Sequence, residues 1–365
     1  MPANRPSRTL CILTVLLLTA VLLAACGDDG EGGGALTVTD ALDRSVQLEG
    51  SPERITVAGR AALLVVDALY LFPQGRERLV ALEERGQQIQ DFLAIVDPDW
   101  GDKTILEQNA GAEQIAPTTP DLVIAKSAMA EELGPSLDAV AIPAFYVDLE
   151  TPEQFERDVT ALGEVLGDPD RAGEVLAFYQ ERLDLIADAT EGLAADARPS
   201  VLLIEYSDEE GTVAFSVPPA GWLQTTMVEL AGGDPVWVEA SEGGGWTVVG
   251  LEQIAAWDPD QIYVVDYNGD SEGVVEQLRA DSRWQALAAV QVGDIFGFPG
   301  DFISWDQPDT RWILGLTWLF TKVQPDLAAD VDVMEEVNAF FEEMYFLDAS
   351  VVEDEIIPRL FGSLP

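Results

Sequence analysis

Leu251-Glu252-Gln253-Ile254-Ala255 leads to Pro259-Asp260-Gln261-Ile262-Tyr263, and earlier in the chain Ala112-Glu113-Gln114-Ile115-Ala116 leads to Pro120-Asp121-Leu122-Val123-Ile124. In both copies the Glu of Glu-Gln-Ile stands seven residues before the Pro of Pro-Asp. Short amphipathic helices feeding buried strands can converge on such a pattern, but identical spacing in two places implies one lobe plan used twice. Each Glu opens a helix, where the positive helix end favours a carboxylate and leaves it exposed. Each Pro-Asp is a turn just ahead of a strand.

The flanking sequence extends both copies into the same alternation. Leu36–Leu48 reads as a short hairpin, Pro52–Gly59 as a buried strand and Ala61–Phe72 as an apolar helix closed by Pro73 and Gly75. Helix Ala110–Ala116, strand Leu122–Ala125, helix Met129–Ala139 and strand Pro143–Val147 follow. After Arg198-Pro199 the alternation restarts with strand Val201–Tyr206 and helix Gly221–Leu230, then helix Leu251–Trp257 and strand Gln261–Asp266. Helices over Ser282–Ala288, Arg311–Phe320 and Val331–Tyr345 complete it. Such alternation predicts mostly parallel sheets covered by helices.

Between the two halves the pattern is purely helical. Thr151-Pro152-Glu153-Gln154 supplies a cap, a first-turn proline and a capping-box glutamine. The stripe Phe155, Val159, Leu162, Leu166 ends at Gly167. Asp168-Pro169 then starts a helix whose stripe continues through Ala172, Val175, Tyr179, Leu183 and Ile186. At 1.5 Å per residue it is about 36 Å long, enough to cross from one lobe to another. The predicted fold is therefore two three-layer α/β lobes, residues 36–150 and 196–346, joined through a helical connection at 151–195 by one long backbone helix. A ligand cleft is expected between the lobes, and 347–365 is a packed or partly ordered tail.

The composition removes most other chemistry. There are 66 acidic and 19 basic residues, a formal net charge of −47, and no histidine. Nucleic acid and anionic membrane surfaces would repel such a chain. Without histidine there is no Ser-His-Asp or Cys-His nucleophile and no histidine metal site. Both cysteines, Cys11 and Cys26, lie near the start, so the rest of the chain holds no thiolate for zinc, haem or iron–sulfur and no disulfide. No cofactor is implied, and the many Asp/Glu pairs carry little weight for a hydrolase.

The first 25 residues read as a leader. Arg5 and Arg8 precede an apolar run, Leu10–Leu22, that is short for a spanning helix and closes on Leu23-Ala24-Ala25-Cys26. This resembles a bacterial lipoprotein signal, which implies cleavage before Cys26, diacylation of its thiol and anchoring on a membrane. Residues 26–35 include the Gly-rich run Gly27–Gly34 and read as a flexible tether. Loss of Arg5 and Arg8 leaves 17 of the 19 basic residues against all 66 acidic ones, an excess suited to a high-salt exterior.

The whole of 36–346 resembles the substrate-binding proteins of ABC importers for iron–siderophore complexes, haem and cobalamin. The likeness rests on Val38-Thr39-Asp40-Ala41 with Pro52-Glu53-Arg54-Ile55, on the two Glu…Pro-Asp segments and on the long intervening helix. It also rests on Pro308–Leu316 and Phe340–Tyr345. The resemblance implies a monomer that holds a metal chelate in the interlobe cleft and delivers it to a permease dimer with its ATPase. It implies that Glu113 and Glu252, one per lobe, meet arginines on the permease.

Basic and aromatic residues at strand ends and in loops are the candidates for the cargo. Arg60 follows the first strand of lobe one, Lys126 follows Leu122–Ala125, and Arg311 opens a late helix of lobe two. Such cations suit carboxylate, catecholate or oxyanion groups. Tyr206 ends a strand, while Trp222, Trp246 and Trp305 stand in loops, where packing gives weaker reason to bury an aromatic ring. Flat faces favour a bulky chelate, most simply a ferric siderophore, over a bare ion. Cobalamin, haem and an oxyanion such as molybdate stay open.

Overall fold

The computed structural model describes residues 35–84, 89–209, 211–241 and 243–365. The leader, Cys26 and the tether up to residue 34 lie outside the described residues. Among the described residues no helix is long and apolar enough to cross a membrane.

The predicted hairpin forms as β1 (Leu36–Thr39) antiparallel to β2 (Ser45–Leu48). Lobe one is a five-stranded sheet of β3 (Ile55–Val57), β4 (Leu79–Glu83), β5 (Thr104–Leu106), β6 (Leu122–Lys126) and β7 (Ala144–Val147). Its order is β5-β4-β3-β6-β7 and every pairing is parallel. β3 and β6 are buried along their whole length, which is why they read as continuous apolar runs rather than alternating ones.

Lobe two contains β8 (Ser200–Glu209), β9 (Thr212–Val217), β10 (Asp234–Pro235), β11 (Thr247–Val249), β12 (Gln261–Val265) and β13 (Ile295–Gly297). The order is β11-β9-β8-β12-β13, with β10 beside β8. β10, β12 and β13 extend the parallel part, whereas β9 and β11 are antiparallel, a hairpin extension the sequence reading did not contain.

The repeated segment has the same structural purpose in both lobes. The Asp121 N–H donates to the Arg54 carbonyl at 2.9 Å, and its carboxylate accepts the Arg54 N–H at 2.9 Å. The Asp260 N–H donates to the Ser200 carbonyl at 2.9 Å, and its carboxylate accepts the Ser200 N–H at 2.8 Å. Each Pro-Asp therefore pins the incoming strand, β6 or β12, to the entry of its central parallel partner, β3 or β8. Glu113 and Glu252 are both exposed in the first turns of the short helices Ala112–Ile115 and Leu251–Trp257.

The helical connection forms as Pro152–Leu166 and Pro169–Thr190. Thr151 accepts the Gln154 N–H at 3.3 Å, and Gly167 closes the first helix at φ 76°, a left-handed conformation that favours glycine. The backbone helix joins the lobes through its side chains. Arg171 donates to the Leu71 carbonyl of lobe one at 2.9 Å and to the Glu343 carbonyl at 2.8 Å.

The tail is packed. Val352 and Ile356 are buried, Phe361 forms a two-residue bridge with Gly300, and the Trp318 indole donates to the Ser363 carbonyl at 3.1 Å. A Cβ on Gly300 would stand 2.3 Å from the Phe361 ring, so glycine is required there.

Candidate functional site

In both lobes the parallel strands end toward one crevice. β3 and β6, and β8 and β12, are the central pairs from which the sheets wind outward, and the carboxyl ends of such strands form the usual ligand position in open α/β sheets. A cavity of about 530 Å³ lies there. From lobe one it is lined by Lys126 at the end of β6, by Ser127 just after it, and by Asp148 and Glu150 after β7. From lobe two it is lined by Trp222 and Gln224 at the start of helix Leu223–Leu230, by Trp246 before β11 and by Tyr267 after β12.

The three rings form a corner. Trp222 and Trp246 have centroids 5.7 Å apart and planes at 88°, and Trp246 and Tyr267 have centroids 6.2 Å apart at 69°. Edge-to-face contacts of this kind fix the rings and turn their faces in different directions. Asp306, fully buried behind the corner, holds one of its rings by accepting the Tyr267 hydroxyl at 2.9 Å, and also accepts the neighbouring Gln224 amide at 3.0 Å. Burial, reinforced by the Asp306 carboxylate, holds the Tyr267 phenol well above its ordinary value, so it remains a donor. Burial likewise raises the Asp306 carboxyl, while Ser304, Gln224 and Tyr267 pull it back.

The opposite wall is polar and already paired. The Lys126 ammonium is bonded by the Asp148 carbonyl and, at 2.8 Å, by the Glu150 carboxylate. The Asp148 carboxylate accepts the Ser127 hydroxyl and, at 2.7 Å, the Arg157 guanidinium. The Leu223 and Gln224 amides, in the first turn of their helix, donate to no acceptor among the described residues.

A second compartment of about 460 Å³ shares Tyr267 and Gln307 with the first. Ile89 of lobe one, Asp266, Asp301 and Ser304 of lobe two, and Phe361 of the tail line it. The tail, to which the sequence reading attached no purpose, thus reaches the cleft.

Of the residues singled out from sequence, Lys126, Trp222 and Trp246 meet in this cavity. Arg60 is exposed beyond the end of β3 and lines neither compartment. Tyr206 is half-buried on β8, packed on Phe215 at 5.9 Å. Arg311 and Trp305 require correction as ligand candidates, because both are fully buried in the core. Arg311 donates to Asp67 of lobe one at 3.0 Å and to Asp301 at 2.8 Å, and lies 4.2 Å from the Phe92 ring centroid. Thr310 and Tyr345 also donate to Asp67, at 2.6 and 2.9 Å, which makes this an ionic knot between the lobes. Tyr267, Asp148, Glu150 and Asp306 were missed. Tyr267 carried a readable signal, an aromatic residue just past a parallel strand; the acids were hidden among so many others.

A two-lobed α/β architecture with strand ends converging on one interlobe cavity is that of a bilobal solute receptor. The family described as periplasmic binding protein matches residues 65–302. The chain belongs to this family. As a periplasmic binding protein it is the extracytoplasmic solute-binding component of an ABC transporter, not an enzyme, and the hydrolase alternative is withdrawn. It is similar to the molybdate-binding protein MolA of Haemophilus influenzae, at 24% identity over 92% of this chain and 95% of that protein. The structure of MolA bound to molybdate superimposes with a TM-score of 0.69 at 20% identity, over 86% of this chain and 98% of that one. A periplasmic solute-binding protein from Veillonella parvula gives a TM-score of 0.73 at 20% identity, over 88% and 97%. Helicobacter pylori Ceue with Ni(II) bound gives 0.64 at 16% identity, over 88% and 99%. These structural likenesses are likenesses of fold.

Proposed function

We propose that this periplasmic binding protein captures an organic metal chelate, in the first instance a ferric siderophore, and delivers it to its permease from a lipid anchor at Cys26. The observation that carries the reading is the Trp222–Trp246–Tyr267 corner on one wall of a cavity of about 530 Å³. That volume lies within the range of small-molecule pockets, roughly 300–1,000 Å³, and flat rings offer area to a bulky organic scaffold. Lys126, Trp222 and Trp246 are the proposed contacts from the original set, joined by Tyr267 and Gln224. Arg60 and Tyr206 are assigned to the cleft margin. The exposed Glu113 and Glu252, equivalent in the two lobes, are the proposed permease contacts, and the protein works as a monomer.

Molybdate is the second reading, favoured by the likeness to MolA and by the free Leu223 and Gln224 amides. Titration of the purified protein with ferric hydroxamates, ferric catecholates, cobalamin, haem and molybdate, followed by tryptophan fluorescence, separates the two. Submicromolar binding of a chelate is the expected result. Submicromolar binding of molybdate with no chelate bound would overturn the first reading in favour of the second. Charge reversal of Glu113 and Glu252 together is expected to abolish uptake in cells while leaving ligand affinity unchanged. Lost affinity would put these residues in the wrong place. A Cys26→Ser chain is expected to lose fatty-acid labelling, and retention of the label would refute the anchor.

A further inference from the structure

The cleft's charges were matched before any ligand arrived. Among the described residues Lys126 is the single basic residue lining either compartment, and Glu150 and the Asp148 carbonyl already bind it. Arg157, behind the wall, is taken by Asp148 and Asp158, and Arg311 by Asp67 and Asp301. Against these cations stand Asp148 and Glu150 in the first compartment and Asp266 and Asp301 in the second, with Asp306 buried behind the aromatic corner. Asp266 and Asp306 accept only amide and hydroxyl groups, with no cation among their partners in the described residues. The free helix amides at Leu223 and Gln224 amount to about half a positive charge, less than one carboxylate.

The aromatic corner has the complementary property. Ring faces are the negative part of an aromatic quadrupole, and with Trp222, Trp246 and Tyr267 all lining one cavity, the faces left open to it offer a site to a weakly hydrated cation. Donation of the Tyr267 hydroxyl to the Asp306 carboxylate at 2.9 Å makes that ring richer in electrons. Ser304 lines the second compartment, is 3% exposed and stands beside the Asp306 carboxyl, a polar contact that carries no charge preference.

We infer that the ligand of this cleft carries zero or positive net charge, and that its cationic or electron-poor face lies against Trp222, Trp246 and Tyr267. The inference rests on the chelate reading and narrows it. Anionic catecholates and molybdate are disfavoured, and neutral or amine-bearing ferric hydroxamates are selected.

The test is a charge series on one scaffold: ferric trihydroxamates bearing an ammonium, no charge or a carboxylate, titrated at one fixed salt concentration and followed by tryptophan fluorescence. A metal-free aryl trimethylammonium salt and molybdate complete the set. The ammonium chelate is expected to bind at least about tenfold more tightly than the carboxylate chelate, with the neutral one between them. Glu150→Gln, at an exposed side chain, is expected to shrink that ratio several-fold by releasing Lys126. Trp246→Leu is expected to weaken the ammonium chelate more than the neutral one. Tighter binding of the carboxylate chelate overturns the inference and leaves the chelate reading standing. Binding of the aryl ammonium salt with no chelate bound supports the inference and overturns the chelate reading. Tight molybdate binding with no chelate bound overturns both, and failure of every probe overturns the inference.

Discussion

Asp67 and Arg311 show how much a single pair can carry. Both side chains are fully buried, so each charge is tolerated only because the other, with Thr310, Tyr345 and Asp301, replaces water. Although burial alone would lower it, the neighbouring Asp301 and Asp67 hold the Arg311 guanidinium well above its ordinary value. Asp67→Ala removes one of the buried carboxylates around that cation and leaves the Thr310 and Tyr345 hydroxyls without their acceptor, and is expected to cost about 3–5 kcal/mol in urea unfolding. A loss below about 1 kcal/mol would show that the knot is dispensable. Three buried phenols, two of them beside the knot, give a second check. Burial holds Tyr179, Tyr263 and Tyr345 well above the ordinary 10.0. A folded value raised above the unfolded one contributes stability below pH 10.0 that is lost as pH rises further. An ultraviolet pH titration is therefore expected to show these three phenols silent until the chain unfolds in alkali. Reversible ionisation near pH 10.0 with unchanged circular dichroism would contradict their burial. Sequence misjudged Arg311 and Trp305 for an identifiable reason. Both lie at or beside an irregular segment, which normally runs over the surface, and here that segment is buried where helix Trp312–Val323 meets lobe one.

At the scale of the element, the repeated Glu…Pro-Asp segment was the most legible feature, because one local motif does one structural task twice. Its aspartates tie strand entries together with bonds of 2.8–2.9 Å. Asp121→Ala and Asp260→Ala are each expected to cost about 1–2 kcal/mol in urea unfolding, and to add when combined because they serve separate sheets. Strong non-additivity would mean that the two pins are coupled. The helical connection was equally legible from its caps, its stripes and the glycine that closes its first helix. Of the strands that escaped, β5, β11 and β13 have three residues each and β10 two, too few for a period, but the five-residue, largely buried β4 was missed as well. β9 escaped because its pattern of exposure, four partly or fully exposed residues before two buried ones, is that of a hairpin extension and not of a buried parallel strand.

For the whole molecule, lobe, helix and lobe were readable because each half repeats a plan and the connection between them is a single helical run. The site was readable only in part. Which wall a residue faces depends on how two sheets meet, and no local periodicity encodes that meeting. The ionic knot and the Arg171 bonds fasten the lobes at the base of the cleft, so closure on a ligand is restricted to a small tilt. The central claim is that the interlobe cavity holds a chelate against the aromatic corner. It is tested most directly by titrating the parent protein and the Trp222→Leu/Trp246→Leu double variant with a neutral ferric trihydroxamate, with heat as the readout so that lost fluorescence does not confuse the comparison. The expected result is submicromolar binding by the parent and a loss of at least about tenfold in the variant. Equal affinities in the two proteins would contradict the claim.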